Sequence, residues 1–519
     1  VVEIQYQGSA EQFSWVLPVP GIPEIGVSST LALDRLQAAT NPQYILNTEI
    51  EGRCAFDDNN DANNDANNNP FNNFDGDNND VDVVGAGTVG PFDFEIISVD
   101  PELDNAADVA VQWLEENGYE VTPQTPDLLG PYLEDGMNLI GFRLTNGAGV
   151  ESIRPIMMTY ETDDPMIPIR PTAVAANDDM GIMVFNVAPG RAVPANYRHL
   201  VLNEAAINWF VPSSNYRLVV ERAADEAGGQ GFVTELAAPT SNFSNTILTP
   251  NEFEEIAQYR LRVEAGSPVD IIEHSLSFLG WDGYMEALSQ SWSGDGELEE
   301  LLDCPQCFFN SFGNVIVGFD MAGFLALMEN TVIGPMEKTH ELLGSEAYLT
   351  RFFTTMSPFE MTTDPVFTVN PDLPDVSNVH TLTRMVMCDD DLSVDEAPWW
   401  ADFDGVQVHG VGQRWPVRIG KLPANRRIEQ LGASGPPEVV VDNTEEIRQE
   451  LSELGLGAPT EQPETPDEGD EGDVGGGESA SDAGGGCSAV SGSSPGGGAL
   501  VLLLSLVALR LRRRGRFFV

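Results

Sequence analysis

Tyr216-Arg217-Leu218-Val219-Val220-Glu221-Arg222-Ala223-Ala224-Asp225-Glu226-Ala227, then Gly228-Gly229-Gln230, then Gly231-Phe232-Val233-Thr234-Glu235-Leu236, sets a helical pattern directly beside a strand pattern. The paired glycines between them are helix-stop chemistry, because glycine reaches the left-handed backbone that ends a helix without a steric penalty. The same mixture recurs outward from this unit. Strand text occupies 1–7 and 13–17, where apolar and polar residues nearly alternate, and 92–99, 138–144, 153–160, 181–187 and 200–202. Helix text occupies 31–39, 106–117, 252–264 and 321–346, and strands return at 366–369 and 381–388. From 389 to about 445 the chain reads as irregular with short strands. Residues 1–445 are therefore predicted to form a large α+β body.

The composition breaks sharply at 57–82, where Asn-Asn-Asp-Ala occurs at 59–62 and again at 63–66 before an Asn run. Almost nothing there can be buried, so it reads as a low-complexity insertion forming a solvated loop. Its segment Asp75-Gly76-Asp77-Asn78-Asn79-Asp80-Val81-Asp82 offers oxygen ligands at alternating spacing, and weak calcium binding is the second reading. It fails the EF-hand pattern, which needs Gly at the sixth and Glu at the twelfth loop position. No other metal or cofactor is expected.

With 82 Asp and Glu against 25 Lys and Arg, the formal charge is −57. Such a surface repels phosphate backbones, which excludes nucleic acid as a partner. Lys338 and Lys421 are the only lysines, so the coat is carboxylate and suits high salt or divalent cations. A 42 % hydrophobic content with eight Trp and 25 Phe still supports real cores.

The body holds Cys54, Cys304, Cys307 and Cys388, an even number that an exported protein closes as two disulfides of unspecified connectivity. Cys304-Pro305-Gln306-Cys307 also has the form of a thiol exchange turn. The text around it, Leu301-Leu302-Asp303 before and Phe308-Phe309-Asn310-Ser311-Phe312-Gly313 after, lacks the strand-then-helix setting of such sites. A four-cysteine zinc site would need a second close pair, which Cys54 and Cys388 do not make. His199, His274, His340, His380 and His409 are scattered and read as structural. No nucleophile elbow, Walker loop or dinucleotide fingerprint occurs, and no catalytic residue can be chosen among so many carboxylates.

Residues 446–498 are rich in Pro, Glu, Asp, Gly and Ser and read as a flexible, self-repelling stalk. The end, 499–519, is an apolar run to Leu509 followed by Arg510, Arg512, Arg513, Arg514 and Arg516. These eleven residues, apolar but for Ser505, reach about 16 Å in a helix against about 30 Å of hydrocarbon, which is marginal for a permanent span. The arginines favour retention on the cytoplasmic side, with the body facing the periplasm or exterior. Cys487 lies just upstream in Gly484-Gly485-Gly486-Cys487-Ser488. This order of cysteine, apolar run and arginines resembles the C-terminal sorting tails of myxobacterial envelope proteins. That resemblance implies cleavage near Cys487 by a sorting protease; a plain membrane anchor is the alternative. The chain opens in strand text without a charged, apolar leader, and a signal peptide is expected to precede it.

Four phrases are more specific than composition: Val2-Glu3-Ile4-Gln5-Tyr6-Gln7-Gly8; Phe13-Ser14-Trp15-Val16-Leu17-Pro18-Val19-Pro20; Glu226-Ala227-Gly228-Gly229-Gln230-Gly231-Phe232-Val233-Thr234-Glu235; and Tyr348-Leu349-Thr350-Arg351 running through Met356-Ser357-Pro358 to Met361-Thr362-Thr363-Asp364-Pro365-Val366-Phe367. Together they resemble the bacterial envelope family known as domain of unknown function 2330, from the first residue to about Cys388. The resemblance brings no activity, catalytic residue or ligand. The expectation is an exported, surface- or membrane-anchored, non-enzymatic binding or structural protein with an unknown extracellular ligand. An envelope enzyme, a hydrolase or a thiol oxidoreductase using Cys304 and Cys307, is the alternative.

Overall fold

The computed structural model describes residues 2–6, 14–54, 82–89, 92–144, 155–308, 316–457 and 515–518, apart from 101–102, 104, 120, 162–164, 175, 295, 390 and 418–419 within them. The 57–81 part of the insertion, the 458–498 part of the stalk, Cys487, the apolar run and Arg510, Arg512, Arg513 and Arg514 lie outside the described residues.

The body is α+β. Its largest sheet has eight strands in the order Glu438–Asp442, Asn425–Gln430, Arg198–Leu202, Gly231–Pro239, Tyr348–Met356, Met180–Ala188, Val2–Tyr6 and Gly515–Phe518. All neighbours are antiparallel except Arg198–Leu202 and Gly231–Pro239, which run parallel. A parallel pair needs a crossover, and helix Tyr216–Glu226 supplies it, burying Val219, Val220, Ala223 and Ala224. The unit that opened the sequence reading is the second half of this crossover.

Two cores that both touch Phe353 share one face of the sheet, and a third, with Ile182, Val184, Phe232 and Phe352, covers the opposite face. In one of the first two, Met183, Phe185, Leu236 and Leu349 pack against the helical segment, including Tyr259 of Pro250–Ala265 and Phe324 of Met321–Leu327. Thr249 and Glu252 form a capping box at the start of Pro250–Ala265, and Gly266 ends it in the left-handed region at φ 74°. The single helix expected at 321–346 is interrupted. Met321–Leu327 passes into a wide turn, Met328–Ile333, before Gly334–Leu343. Pro335 has no N–H and its ring crowds the preceding turn, so the ladder widens and Gly334 donates to the Glu329 carbonyl, five residues back.

The other core joins the large sheet to a second sheet, ordered Gln407–Val411, Pro398–Asp402, Val379–Met387 and Gln43–Glu51. Leu200, Val233 and Ile428 from the first meet Leu382, Val386, Trp399 and Val408 from the second. Gly410 stands directly opposite Trp399, and any side chain there would meet the indole. Helix Thr444–Glu453 buries Ile447 and Leu451 in the same core. A third sheet, Ser14–Val19, Asn138–Leu144, Phe92–Ser98 and Asp82–Val89, carries helices Ala106–Glu116 and Thr125–Glu134.

All four body cysteines are in disulfides, Cys54 with Cys388 and Cys304 with Cys307. No helix among the described residues is long and apolar enough to cross a membrane.

Candidate functional site

The two sheets of the second core diverge around a cavity of about 570 Å³. Parallel pairing puts Tyr44 beside His380 on adjacent strands. Their rings stack at 4.6 Å with planes 13° apart, and Trp209 meets the Tyr44 ring edge-on at 5.0 Å. His380 donates from Nδ1 to Glu204 Oε1 at 2.6 Å. Glu204 opens the short turn Glu204–Ala206, which leaves the strand Arg198–Leu202 under an Asn203 side-chain cap.

Glu235 and Arg351 meet at the base, with Oε2 and Nε 2.6 Å apart and side chains only 1 % and 3 % exposed. The contact is an ion pair rather than an aligned hydrogen bond. A register shift makes this meeting possible. Thr234 pairs with Phe352 and Leu236 with Arg351, so Glu235 is the extra, bulged residue. Arg351 then donates to the Gln37 carbonyl at 3.1 Å, Thr40 Oγ1 at 2.9 Å and Asn41 Oδ1 at 2.9 Å. A guanidinium thus sits at the C-terminus of helix Thr30–Thr40, where the helix dipole favours positive charge. Tyr216 donates its hydroxyl hydrogen to Glu235 Oε1. Further shifts fall between Val201 and Leu202 and between Ile428 and Glu429. Bulges re-aim side chains, and three of the four register shifts among the described strands fall in the pairings around this cavity, the fourth lying between Val83 and Gly85 in the third sheet.

Burial pushes the Tyr44 phenol far above its usual range, and the charges of Glu204 and Glu235 push it the same way. Burial also raises Tyr216, with Glu235 adding to it. Both phenols therefore stay neutral. His199, on the cavity wall, holds Glu429 at 3.0 Å, and Arg427 Nε lies 3.3 Å from the other Glu429 oxygen. Burial pulls the His199 imidazole below its usual value, and the opposing hydrogen bond and charge of Glu429 do not cancel that. For Glu429, burial acts upward, but the hydrogen bond from His199 and the charges of Arg427 and Arg191 leave it below the ordinary carboxylate value.

A stability consequence follows from His199. Its native pKa is depressed, so as pH falls below about 6.5 the unfolded chain takes up a proton that the native state resists, and stability is lost. His199→Gln keeps a donor for Glu429 and is expected to lose less melting temperature between pH 7 and pH 5 than the parent. Equal losses in both proteins would refute it.

The cysteines are not part of this cavity's wall. Cys304 ends helix Leu298–Asp303 and Cys307 lies in the short turn Pro305–Phe308, so no strand precedes the pair and no long helix follows it. Cys54 and Cys388 lie just beyond the ends of strands Gln43–Glu51 and Val379–Met387, where the Cys388 N–H donates to the Glu51 carbonyl at 2.8 Å. No group of three or more His, Cys, Asp or Glu among the described residues is placed to hold a metal ion, and of the calcium candidate at 75–82 all but Asp82 falls outside them.

Two of the four distinctive phrases reach this site, one ending at Glu235 and one passing through Arg351. Residues 1–368 match the family model described as an uncharacterized protein conserved in bacteria, domain of unknown function 2330. The chain belongs to that family. No curated protein and no solved structure matches it. In this member of domain of unknown function 2330, the sequence reading took His199 and His380 as scattered structural residues, whereas the fold brings both to one cavity. The available signal was a charge inside an apolar strand, Glu235 before Leu236-Ala237-Ala238 and Arg351 before Phe352-Phe353, since buried charges demand partners.

Proposed function

We propose that this protein is an exported, surface- or membrane-held binding protein without catalytic activity, which captures a ligand outside the cell in the cavity between its two larger sheets. The observation that carries the reading is the closure of Cys54, Cys304, Cys307 and Cys388 as two disulfides, which suits maturation in an oxidising compartment and leaves the described body without a free thiol. The cavity supports it too. Two of its polar pairs, Glu204 with His380 and Glu235 with Arg351, are made within the protein and shape a pocket.

The C-terminal tail is read as the address, with Cys487 the residue near which a sorting protease cuts and Arg510, Arg512, Arg513, Arg514 and Arg516 the topology signal. Strand Gly515–Phe518 pairs with Val2–Tyr6, with Arg516 opposite Gln5. A precursor whose arginines are held in the cytoplasm cannot make that pairing with a body on the other side.

Alkylation of unreduced, denatured protein from the native envelope is expected to label none of the four body cysteines. Labelling of all four overturns the export reading. Cys487→Ala is expected to leave uncleaved precursor in the inner membrane fraction, and finding peptides beyond Leu511 on surface-exposed protein overturns the sorting tail.

A further inference from the structure

We propose that strand Gln43–Glu51 is a docking edge for a second copy of this chain, the two strands pairing antiparallel about a twofold axis so that the second sheet runs on from one copy into the other. An edge strand presents unpaired backbone N–H and C=O groups, and folded proteins blunt such edges with shortness, proline, bulges, charge or a covering segment. The edges of the three larger sheets differ in this respect. Gly515–Phe518 spans only 4 residues, and Glu438–Asp442 has a register shift and an acidic residue at each end. Gln407–Val411 is met from outside, where the His409 N–H donates to the Leu456 carbonyl at 2.7 Å. Ser14–Val19 contains Pro18, and Asp82–Val89 has a register shift between Val83 and Gly85. Gln43–Glu51 is built differently. It spans 9 residues without proline or a basic side chain, and it pairs with Val379–Met387 along its whole length without a shift. Among the described residues no segment pairs with its outer side.

The inner ladder fixes which backbone groups face outward. The Gln43 N–H donates to the Asn378 carbonyl at 2.7 Å, and the Glu51 carbonyl accepts from the Cys388 N–H at 2.8 Å, so the odd-numbered residues bond inward. Direction alternates along a strand, which leaves the N–H and C=O of Tyr44, Leu46, Thr48 and Ile50 facing out. An antiparallel twofold centred on Asn47 uses all four. Tyr44 then lies opposite the partner's Ile50 and Leu46 opposite the partner's Thr48, as hydrogen-bonded pairs. In the alternate pairs, where side chains approach closest, Gln43 meets the partner's Glu51, Ile45 meets the partner's Glu49, and Asn47 meets its own copy.

Charge selects this occupant and this edge. Both acids of the strand, Glu49 and Glu51, lie toward one end, so an antiparallel copy presents its uncharged end to them and no acid opposes an acid. The same operation on Glu438–Asp442 sets Glu438 against Asp442, like charges directly opposite. The pairing also covers apolar surface, since Ile45 and Ile50 are 45 % and 50 % exposed. Tyr44 beside the partner's Ile50 is an aromatic and β-branched pair, a favourable cross-strand combination. Opposed residues share a face, so the partner's Ile50 adjoins a wall residue of the cavity, and each copy adds to the other's site. The Cys54–Cys388 bridge ties the end of the inner ladder and holds the edge in shape before it is used. Each copy offers one such edge, so the assembly closes as a dimer.

The test is sedimentation velocity of the full chain across the micromolar range, in low salt and in about 0.5 M NaCl. A monomer–dimer equilibrium is expected, at least tenfold tighter in high salt, because each copy carries a formal charge of −57 that salt screens while the strand pairing itself is uncharged. Ile50→Pro removes one outward N–H and spares the inner ladder, and is expected to weaken the dimer at least tenfold. Asn47→Asp sets carboxylate against carboxylate at the axis; it is expected to weaken the dimer severalfold and serves if Ile50→Pro fails to fold. Ile45→Lys places an ammonium opposite the partner's Glu49 and is expected to tighten the dimer severalfold, a gain that misfolding cannot imitate. A chain that stays monomeric throughout, growth beyond the dimer, or a dimer indifferent to all three substitutions overturns the proposal. A monomer that instead binds an alternating Thr-Val octapeptide, with loss of that binding in Ile50→Pro, overturns the assignment of the edge to a second copy.

Discussion

Arg351→Met is expected to lower the free energy of unfolding by about 3–5 kcal/mol, the usual cost of leaving one partner of a buried ion pair uncompensated. Glu235 has a 1 % exposed side chain, so removing the guanidinium strands its charge among apolar residues with the Tyr216 hydroxyl as its remaining donor. The substitution also deprives Gln37, Thr40 and Asn41 at the end of helix Thr30–Thr40 of their shared donor. Methionine fills most of the vacated volume, so the loss reports on charge and hydrogen bonding rather than on a cavity. Urea denaturation measures it as a lower midpoint with an unchanged slope. The paired change Arg351→Met with Glu235→Leu is expected to recover a large part of the loss, because two apolar residues leave no charge unpaired. A single-variant loss below about 1 kcal/mol, the range of exposed pairs, would refute the buried character of this one.

The elements most legible in the sequence were those set by local chemistry. Helix Tyr216–Glu226 and strand Gly231–Pro239 stand where the paired glycines and the shift of pattern put them. Helix Pro250–Ala265 carries its own start and stop signals in Thr249, Pro250, Glu252 and Gly266. Helix Thr125–Glu134 was not read, because Gly130 and Pro131 inside it speak against a helix; it forms by burying Leu129, Tyr132 and Leu133. Tertiary packing outweighs weak local propensity there. Strand Gln43–Glu51 was missed for a related reason: its partner lies at Val379–Met387, far along the chain, and nothing local announces a parallel neighbour.

The site was less legible still. Tyr44 with His380, Glu204 with His380 and Glu235 with Arg351 are each brought together by strand order and bulges, neither of which spacing reveals. The cysteines were visible as a set of four, yet their pairing was open until the fold placed Cys54 beside Cys388. That bridge bears directly on the cavity, since it lies just past the strand pair presenting Tyr44 and His380.

Replacing both Cys54 and Cys388 by Ala is expected to cost about 2–5 kcal/mol, the range for a native disulfide, toward the upper end because the bridge spans a sequence separation of 334. Opening so long a loop returns much entropy to the unfolded chain. Cys304 and Cys307 are separated by only 3, so Cys304→Ala with Cys307→Ala is expected to cost about 2 kcal/mol or less. The two double variants differ in kind as well as size. Without Cys54–Cys388, strands Gln43–Glu51 and Val379–Met387 keep their ladder but lose the tie beyond its end, so the stacking of Tyr44 on His380 should loosen and Trp209 fluorescence should change. The Cys304–Cys307 variant should leave the Trp209 contribution unchanged, because neither cysteine lines the cavity, and should alter instead that of Trp292, which is edge-on to Phe308 beside Cys307. Denaturation curves with the fluorescence of the native baseline read both effects in one experiment. Equal losses in the two variants would refute the loop-length argument, and an unchanged native spectrum without Cys54–Cys388 would show that the strand ladder alone holds the cavity wall.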